Sequence, residues 1–378
     1  MNKAKEKRIA TMTFHIAHNY GAMLQAYALQ RAISKLGFHC EVLDYRFPYI
    51  DQWSGIRSRH DLAQEYGFIG GNLRFLHRYV KGNYKNISVM RKKFDRFMRK
   101  DIKLSKKVYF TPESLSKALY DVVVLGSDQI WNPDLTNGPA LEYFGKYFNS
   151  EKTRLVSYAA SCGTAEFKAE YKKEFLPLLQ RFYALGIREK GLTDFLNNQW
   201  NLPATTVLDP VFLLEPKEWI ELGKKAEIKL KKPYLLLYTF QTDDDIYDLA
   251  RTIAKKSGLD IVAICYGKDE RLNDILQLTE CGPKDFISLF YNASFVCTSS
   301  FHGMAFSIIF EKDFYCMGHP LYSQRNKDLL ELIGMEERMF FKNSEIETIN
   351  KCDYSYASEK IKSEKEKAIN FLRTAIDC

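Results

Sequence analysis

The residue best suited to chemistry in this chain is His302, inside an otherwise apolar stretch at residues 294–310. The stretch turns polar around the histidine and then apolar again, which is typical of a buried strand, a tight loop and the start of a helix. Side chains at such a junction lie at the carboxyl edge of an α/β sheet, where helix N-terminal N–H groups attract anions. An imidazole there could deliver a proton. The alternative is a structural histidine that hydrogen-bonds the loop.

Other strand ends carry polar or small residues that could bind an anionic substrate across from His302. Arg188 could hold a carboxylate or phosphate in bidentate fashion, although a salt bridge to Glu189 or another acid is an equally open interpretation. The loop with Asn19 and Gly21 precedes a helix and could cradle an anion, but it lacks a full G-x-G-x-x-G and could be a plain connection. The candidates are Asn19, Ser127, Asp128, Ser161 and Arg188 on one wall of a cleft and Ser300, His302 and Gly303 on the other, with Gly21 next to Asn19 at the helix N-terminus.

The elements that must position these residues alternate between apolar strands and amphipathic helices, which predicts an α/β fold of two Rossmann-like domains facing across a cleft. The first domain is predicted at 1–222, with a basic helical insertion at about 47–107 and a short strand at 206–214. The second is predicted at 223–350. Residues 351–378 form an amphipathic helix that could pack back across the domain junction.

Length and charge narrow the function classes. The 378 residues suit two domains, and the net charge of +8 is concentrated partly at residues 91–107. We favour a solvated helix face there, with attraction to an anionic membrane surface as an alternative; no recognised nucleic-acid module accompanies the patch, so we predict no nucleic-acid partner. The lack of a long apolar run or a signal peptide and the eight scattered cysteines predict a soluble cytoplasmic protein with reduced thiols.

Two familiar catalytic patterns are absent from the sequence. A serine hydrolase of the G-x-S-x-G type would need a nucleophile elbow, and a P-loop enzyme would need its lysine-bearing glycine loop; neither motif occurs. No histidine and cysteine spacing indicates a metal site, so we predict neither a metal nor a cofactor.

Six motifs in order along the chain resemble the polysaccharide pyruvyl transferase family. They are NYGAMLQAYAL at 19–29, GSDQIWNP at 126–133, SYAASCG at 157–163, IRE at 187–189, LDP at 208–210 and TSSFHGMAFS at 298–307. The resemblance covers the chain from about Asn19 to Arg325. The segment at 47–105 and the final helix contribute little to it.

This resemblance implies a GT-B-like fold and transfer of a pyruvyl group from phosphoenolpyruvate to a sugar as a ketal, with phosphate release. His302 would protonate the methylene carbon of phosphoenolpyruvate, and Arg188 would hold its carboxylate or phosphate. Asn19, Ser127 and Asp128 would orient the donor or sugar, Gly303 would bind the leaving phosphate, and Arg325 is a further candidate for anion contact. The acceptor would be a lipid-linked or nucleotide-linked sugar. Peripheral membrane contact through 91–107 is an alternative suggested by the basic residues there and not by the resemblance.

Two other functions fit the same sequence. One is a GT-B-like glycosyltransferase that uses a nucleotide sugar, with His302 as base and helix N-termini holding the diphosphate. The other is a non-catalytic carbohydrate- or membrane-associated module whose working surface is the basic stretch 91–107.

Overall fold

The computed structural model describes residues 7–46, 83–239, 244–318, 324–341 and 349–377. Its first sheet has seven parallel strands in the order β3-β2-β1-β4-β5-β6-β7. The strands are β1 (Arg8–Met12), β2 (His39–Tyr45), β3 (Leu104–Tyr109), β4 (Val122–Leu125), β5 (Arg154–Ala160), β6 (Phe182–Ile187) and β7 (Ala204–Thr206). The helices are α1 (Tyr20–Lys35), α2 (Asn83–Asp101), α3 (Pro133–Thr136), α4 (Lys172–Leu179), α5 (Lys190–Gln199) and α6 (Pro216–Gly223).

The second sheet has six parallel strands in the order β10-β9-β8-β11-β12-β13. Its strands are β8 (Tyr234–Tyr238), β9 (Asp260–Ile264), β10 (Leu276–Leu278), β11 (Phe295–Thr298), β12 (Asp313–Met317) and β13 (Met339–Phe340). Its helices are α7 (Asp244–Ser257), α8 (Pro283–Asn292), α9 (Phe301–Ile309) and α10 (Gln324–Ile333), and the chain continues into α11 (Ser355–Asp377). The predicted α/β fold of two Rossmann-like domains is confirmed.

The order of the strands predicts where each of the two sheets binds ligands. All four residues of β4 are buried, as expected for a strand covered on both faces. The order reverses between β1 and β4 in the first sheet and between β8 and β11 in the second. A reversal of this kind opens a crevice at the carboxyl ends of the strands, which is where α/β proteins bind ligands. The stretch around His302 follows β11 and therefore lies at such a crevice.

Residues 206–214 do not form the predicted strand. β7 ends at Thr206, and Pro210–Leu213 forms one turn of 3-10 helix instead. Pro210 has no N–H to donate to a neighbouring strand, and the Asp209 carboxylate accepts a hydrogen bond from the Val211 N–H at 3.1 Å. The chain therefore turns at Asp209 and holds its carboxylate at the end of the sheet.

The basic segment predicted at 47–107 is partly an interdomain contact. Residues 47–82 lie outside the described residues; α2 follows, and residues 104–107 belong to β3 rather than to a helix. Lys93 of α2 forms an ion pair of 2.8 Å with Asp285 of α8, and Arg96 pairs with Glu227 at 2.6 Å. These two cations are therefore engaged by the second domain. Membrane contact through 91–107 stays a prediction.

The C-terminal helix α11 lies against the first domain. Ala368, Leu372 and Ile376 are buried in the same apolar cluster as Ile9 and Val122 of the first sheet. The chain thus crosses back from the second domain and fastens its end to the first. None of the described helices is both long and apolar enough to cross a membrane. The described cysteines are all free thiols, and most are buried.

Candidate active site

The domains are joined directly beside the candidate site by Tyr20, the first residue of α1. Its ring is fully buried and stacks on Phe286 of α8 with centroids 4.7 Å apart, and its hydroxyl donates to the Cys281 carbonyl at 3.0 Å. Asn19 caps α1 by accepting a hydrogen bond from the Ala22 N–H at 3.1 Å. The loop after β1 is therefore held against the second domain, and Gly21 follows immediately.

Gly21 and His302 touch across the domain interface. A Cβ atom added to Gly21 would lie 2.5 Å from Cγ of His302 and closer still to its Nδ1. Only a residue without a side chain leaves room for the imidazole at this position. The pair brings together two motifs that are 281 residues apart in the sequence. Its contact fixes how closely the crevices of the two sheets approach each other.

Asp209 is the centre of the site. Its Oδ2 accepts hydrogen bonds from Ser127 Oγ and from Arg188 Nη1, both at 3.1 Å, and it lies 3.7 Å from Nε2 of His302. Burial tends to raise the pKa of Asp209, but His302, Arg188 and the Val211 N–H outweigh it and hold this pKa well below its usual value. Asp209 is therefore a buried anion that links the first domain to His302.

His302 is the second residue of α9 and is 7% exposed. Its Nε2 has no hydrogen-bond partner among the described residues. The ring of Phe301 stands perpendicular to the imidazole, with centroids 5.3 Å apart. The edge of the imidazole that carries this buried nitrogen faces the Asp209 carboxylate.

Arg188 has the ion-pair role that the sequence left open. Its side chain is 3% exposed and faces three carboxylates: Asp209 at 3.1 Å, Asp128 at 3.5 Å and Glu189 at 3.8 Å. Burial acts to lower the pKa of Arg188, but these acids more than offset it and the net shift is upward. Arg188 and His302 both approach Oδ2 of Asp209, so the structure brings the two predicted catalytic residues together. Contact of Arg188 with a substrate stays a prediction.

Glu189 is a second buried acid at the end of β6. It accepts a short hydrogen bond from Ser161 Oγ, while its Oε2 has no partner among the described residues. Burial raises the pKa of Glu189, and the cations of Arg188 and Arg325 oppose that shift only in part. Ser161 is therefore engaged in holding Glu189.

Arg325 lies at the start of α10 and is partly buried. Its guanidinium carbon is 5.7 Å from the centre of the Phe301 ring, and that of Arg188 is 5.1 Å from the same ring. Burial, followed by repulsion from Arg188, lowers the pKa of Arg325 to about 10. Two cations from different domains thus converge on one aromatic ring.

Ser300 and Gly303 shape the loop before the histidine. Ser300 is the N-cap of α9, and its Oγ accepts a hydrogen bond from the Gly303 N–H at 3.3 Å. A Cβ atom on Gly303 would lie 3.0 Å from Cβ of Thr298 and 3.1 Å from the Tyr238 ring. The Gly303 N–H is used inside the loop, so its predicted contact with a leaving phosphate would require that cap to open.

A cavity of about 1200 Å³ lies between the domains in front of these residues. It separates the predicted site residues into those that line it and those packed behind it. The lining residues are Asn19, Asp128, Ser300, His302 and Arg325. The residues behind them are Gly21, Ser127, Ser161, Arg188 and Gly303.

The site prediction missed Asp209 and Glu189 as functional residues, although both stood in motifs that had been identified. A signal was present for Glu189, which is the neighbour of Arg188 in the sequence just after β6. Both acids were expected among the polar residues that end the strands at this edge, but neither was given a role in the site.

Replacing Gly21 by alanine is expected to lower the free energy of unfolding by about 1–3 kcal/mol, because the new methyl group would overlap His302. Helix propensity alone predicts the opposite sign, since alanine is favoured over glycine in a helix. Urea denaturation measures the difference. A suitable control is Gly267→Ala, where a Cβ would meet no atom within 4 Å; that variant should change stability by less than about 1 kcal/mol. Stabilisation by Gly21→Ala would contradict the close contact.

Comparison with solved structures identifies the architecture. UDP-GlcNAc 2-epimerase from Methanocaldococcus jannaschii aligns with a TM-score of 0.51 and 10% identity, over 97% of this chain and 93% of that chain. A structure of the same enzyme in complex with UDP-GlcNAc and UDP aligns with a TM-score of 0.50 and 12% identity, over the same shares. At this identity the likeness shows the fold alone, which is GT-B-like. A comparison with curated protein sequences finds no significant match.

A family model identifies the protein family of this chain. The model described as polysaccharide pyruvyl transferase matches residues 19–320. The match begins at the capping residue of α1 and includes Asp209, Arg188 and His302, so it spans both walls of the cavity. The chain belongs to the polysaccharide pyruvyl transferase family.

Proposed function

We propose that this protein transfers the pyruvyl group of phosphoenolpyruvate to two hydroxyls of a sugar in a polysaccharide precursor, forming a ketal and releasing phosphate. The observation that carries the proposal is the position of His302. Its imidazole lines an interdomain cavity, its Nε2 has no hydrogen-bond partner among the described residues, and a buried carboxylate lies 3.7 Å away. A histidine that lines a cavity and is backed by a buried anion is suited to general acid catalysis.

In the proposed reaction His302 donates its proton to the methylene carbon of phosphoenolpyruvate, which becomes a methyl group. The neighbouring carbon becomes electrophilic, and a first sugar hydroxyl adds to it and loses its proton. The bond from this carbon to the phosphate oxygen then breaks, and phosphate leaves. A second hydroxyl adds to the same carbon and loses its proton, which closes the ring. The two protons lost by the hydroxyls balance the one taken by carbon and the one taken by phosphate.

The first-domain acids have a supporting role in this proposal. Asp209 places its negative charge 3.7 Å from Nε2 of His302 and orients the imidazole. Arg188 keeps Asp209 in place through its 3.1 Å contact and reduces the repulsion among the buried carboxylates. The proposed chemistry requires neither a metal nor a cofactor from these residues, and that expectation stays a prediction.

The remaining cavity offers room for a sugar acceptor. It continues from His302 along the second domain to Tyr247, Asp269 and Arg271. The Tyr247 hydroxyl donates to Asp269 at 2.8 Å, and the guanidinium of Arg271 lies 4.9 Å from the centre of the Tyr247 ring. An aromatic ring beside planar polar groups suits the mixed apolar and hydroxyl faces of a sugar.

The proposal is tested by incubating the protein with phosphoenolpyruvate and a panel of lipid-linked and nucleotide-linked sugars. The expected result is phosphate release that depends on one acceptor, with a pyruvyl ketal detected on that acceptor by mass spectrometry. Reactions without acceptor measure the background. Consumption of a nucleotide sugar without any use of phosphoenolpyruvate would replace the proposal with glycosyl transfer.

A further inference from the structure

We propose that Arg325 is the anchor for a phosphate-type oxyanion in the interdomain cavity, and that Arg188 is a positioning residue that does not itself hold this anion. The ligand class is a phosphate monoester or diphosphate. Naming the phosphate of phosphoenolpyruvate as its source rests on the function proposed above. The sequence suggested anion binding for both arginines. The proposal gives that role to Arg325 and gives Arg188 the role of positioning other residues.

The first argument is that the charge of Arg188 is compensated by ion pairs, although its Nε and Nη2 make no hydrogen bond among the described residues. Each nitrogen of its guanidinium faces a different acid: Nη1 faces Asp209, Nη2 faces Asp128 and Nε faces Glu189. A bidentate complex with phosphate needs two adjacent N–H groups of one guanidinium edge. No edge of Arg188 is free of a carboxylate, and its side chain is 3% exposed and lies behind the cavity wall.

The second argument is that the positive charge of Arg325 has no ion-pair partner among the described residues. It lines the cavity, makes no ion pair within 4 Å with any residue that the structure describes, and its Nε lacks a hydrogen-bond partner there. It also lies at the start of α10, where the positive end of the helix dipole disfavours a cation. The nearby Arg188 adds like-charge repulsion and helps to lower the pKa of Arg325. A bound anion would relieve all three unfavourable effects.

The third argument is the surroundings of the same point. The N-terminus of α9 opens beside Arg325, and both Phe301 and His302 belong to its first turn. The guanidinium carbons of Arg325 and Arg188 lie 5.7 and 5.1 Å from the centre of the Phe301 ring. A phosphate held by Arg325 would therefore lie next to the imidazole of His302 and on the cavity side of the buried carboxylates. This is the place where a phosphate must leave once the adjacent carbon has been protonated.

Isothermal titration calorimetry with three probes tests the assignment: phosphoenolpyruvate, inorganic phosphate and UDP. Arg325→Gln is expected to weaken the probe that the wild type binds by about 10- to 100-fold, the range for loss of a hydrogen-bonded ion contact. Arg325→Lys keeps the charge and should lose less. The matched control is Lys327→Gln, which removes the same charge from an exposed position on α10 and should change affinity by less than about twofold.

The unliganded proteins provide an independent readout. An arginine that only supports the fold would lower the melting temperature when replaced, whereas removal of an uncompensated cation should leave it unchanged or raise it. Unaltered affinity in Arg325→Gln overturns the anchor, even if the wild type binds phosphoenolpyruvate. Loss of UDP binding in this variant, with no phosphoenolpyruvate binding by the wild type, upholds the anchor and overturns the proposed donor. Binding of no probe by the wild type overturns both.

Discussion

Replacing His302 by glutamine is expected to lower kcat by about 10²- to 10⁴-fold, the contribution of a positioned general acid. Glutamine is close in size to histidine and can lie over Gly21, but its amide cannot donate a proton to carbon. Since Nε2 of His302 has no hydrogen-bond partner among the described residues, the substitution breaks no such bond at that atom. The rate of phosphate release at saturating phosphoenolpyruvate and acceptor measures the effect.

The comparison of variant with wild type must distinguish a loss of catalysis from a loss of folded structure. The His302→Gln protein should melt within a few degrees of the wild type, because a change of about 1 kcal/mol shifts the midpoint by roughly that much in a chain of this size. His39→Gln is a suitable control, since His39 is exposed on β2 and its Nε2 lies 2.7 Å from Nζ of Lys103. That variant should keep wild-type turnover. Full activity in His302→Gln would remove this residue from the proton transfer.

Much of the fold follows from local sequence. β4 is apolar throughout because both of its faces are covered, and Asn19 can start α1 because its side chain replaces a missing acceptor for the first turn. The prediction was wrong at 206–214, where the apolar residues belong to a 3-10 turn that packs into the core. Apolar periodicity over so short a stretch does not separate a strand from a buried turn, and Pro210 was the informative residue.

The site was harder to predict from the sequence than the fold, because its main contacts join residues that are far apart in the chain. His302 was identifiable from its place at a strand end, but its contact with Gly21 depends on how two domains meet. The same limit applies to Arg188. Sequence reasoning could propose either an ion pair or a ligand contact, and only the positions of Asp128, Glu189 and Asp209 show that its charge is used within the protein.

Replacing Asp209 by asparagine is expected to lower the free energy of unfolding by about 3 kcal/mol at pH 7, the cost of breaking one partner of a buried ion pair. Asparagine has the same shape, and its Oδ1 can still accept from the Val211 N–H. Its amide NH2 takes the place of the Oδ2 that accepts from Ser127 and Arg188, so the loss is that of the carboxylate charge and acceptor that face Arg188 and His302. The pKa of Asp209 is lowered in the folded state, so its stabilising contribution is present above the unfolded pKa of about 4 and is lost as the pH falls through the folded value. The stability difference between wild type and variant should therefore be full at neutral pH and shrink below about pH 4 in urea denaturation.

Asp209→Asn is also expected to lower kcat by about 10²-fold, because the imidazole of His302 loses the carboxylate charge that faces it at 3.7 Å. A double-mutant cycle with His302→Gln separates this effect from a general structural one. If Asp209 acts through His302, adding Asp209→Asn to His302→Gln should reduce turnover little further, while the loss of stability should persist. Independent, multiplying effects on turnover would show that Asp209 acts on the reaction by another route, since residues that work as a unit are strongly non-additive. The contact between Asp209 and His302 would then belong to the domain interface, and Asp209 would not support proton donation by His302.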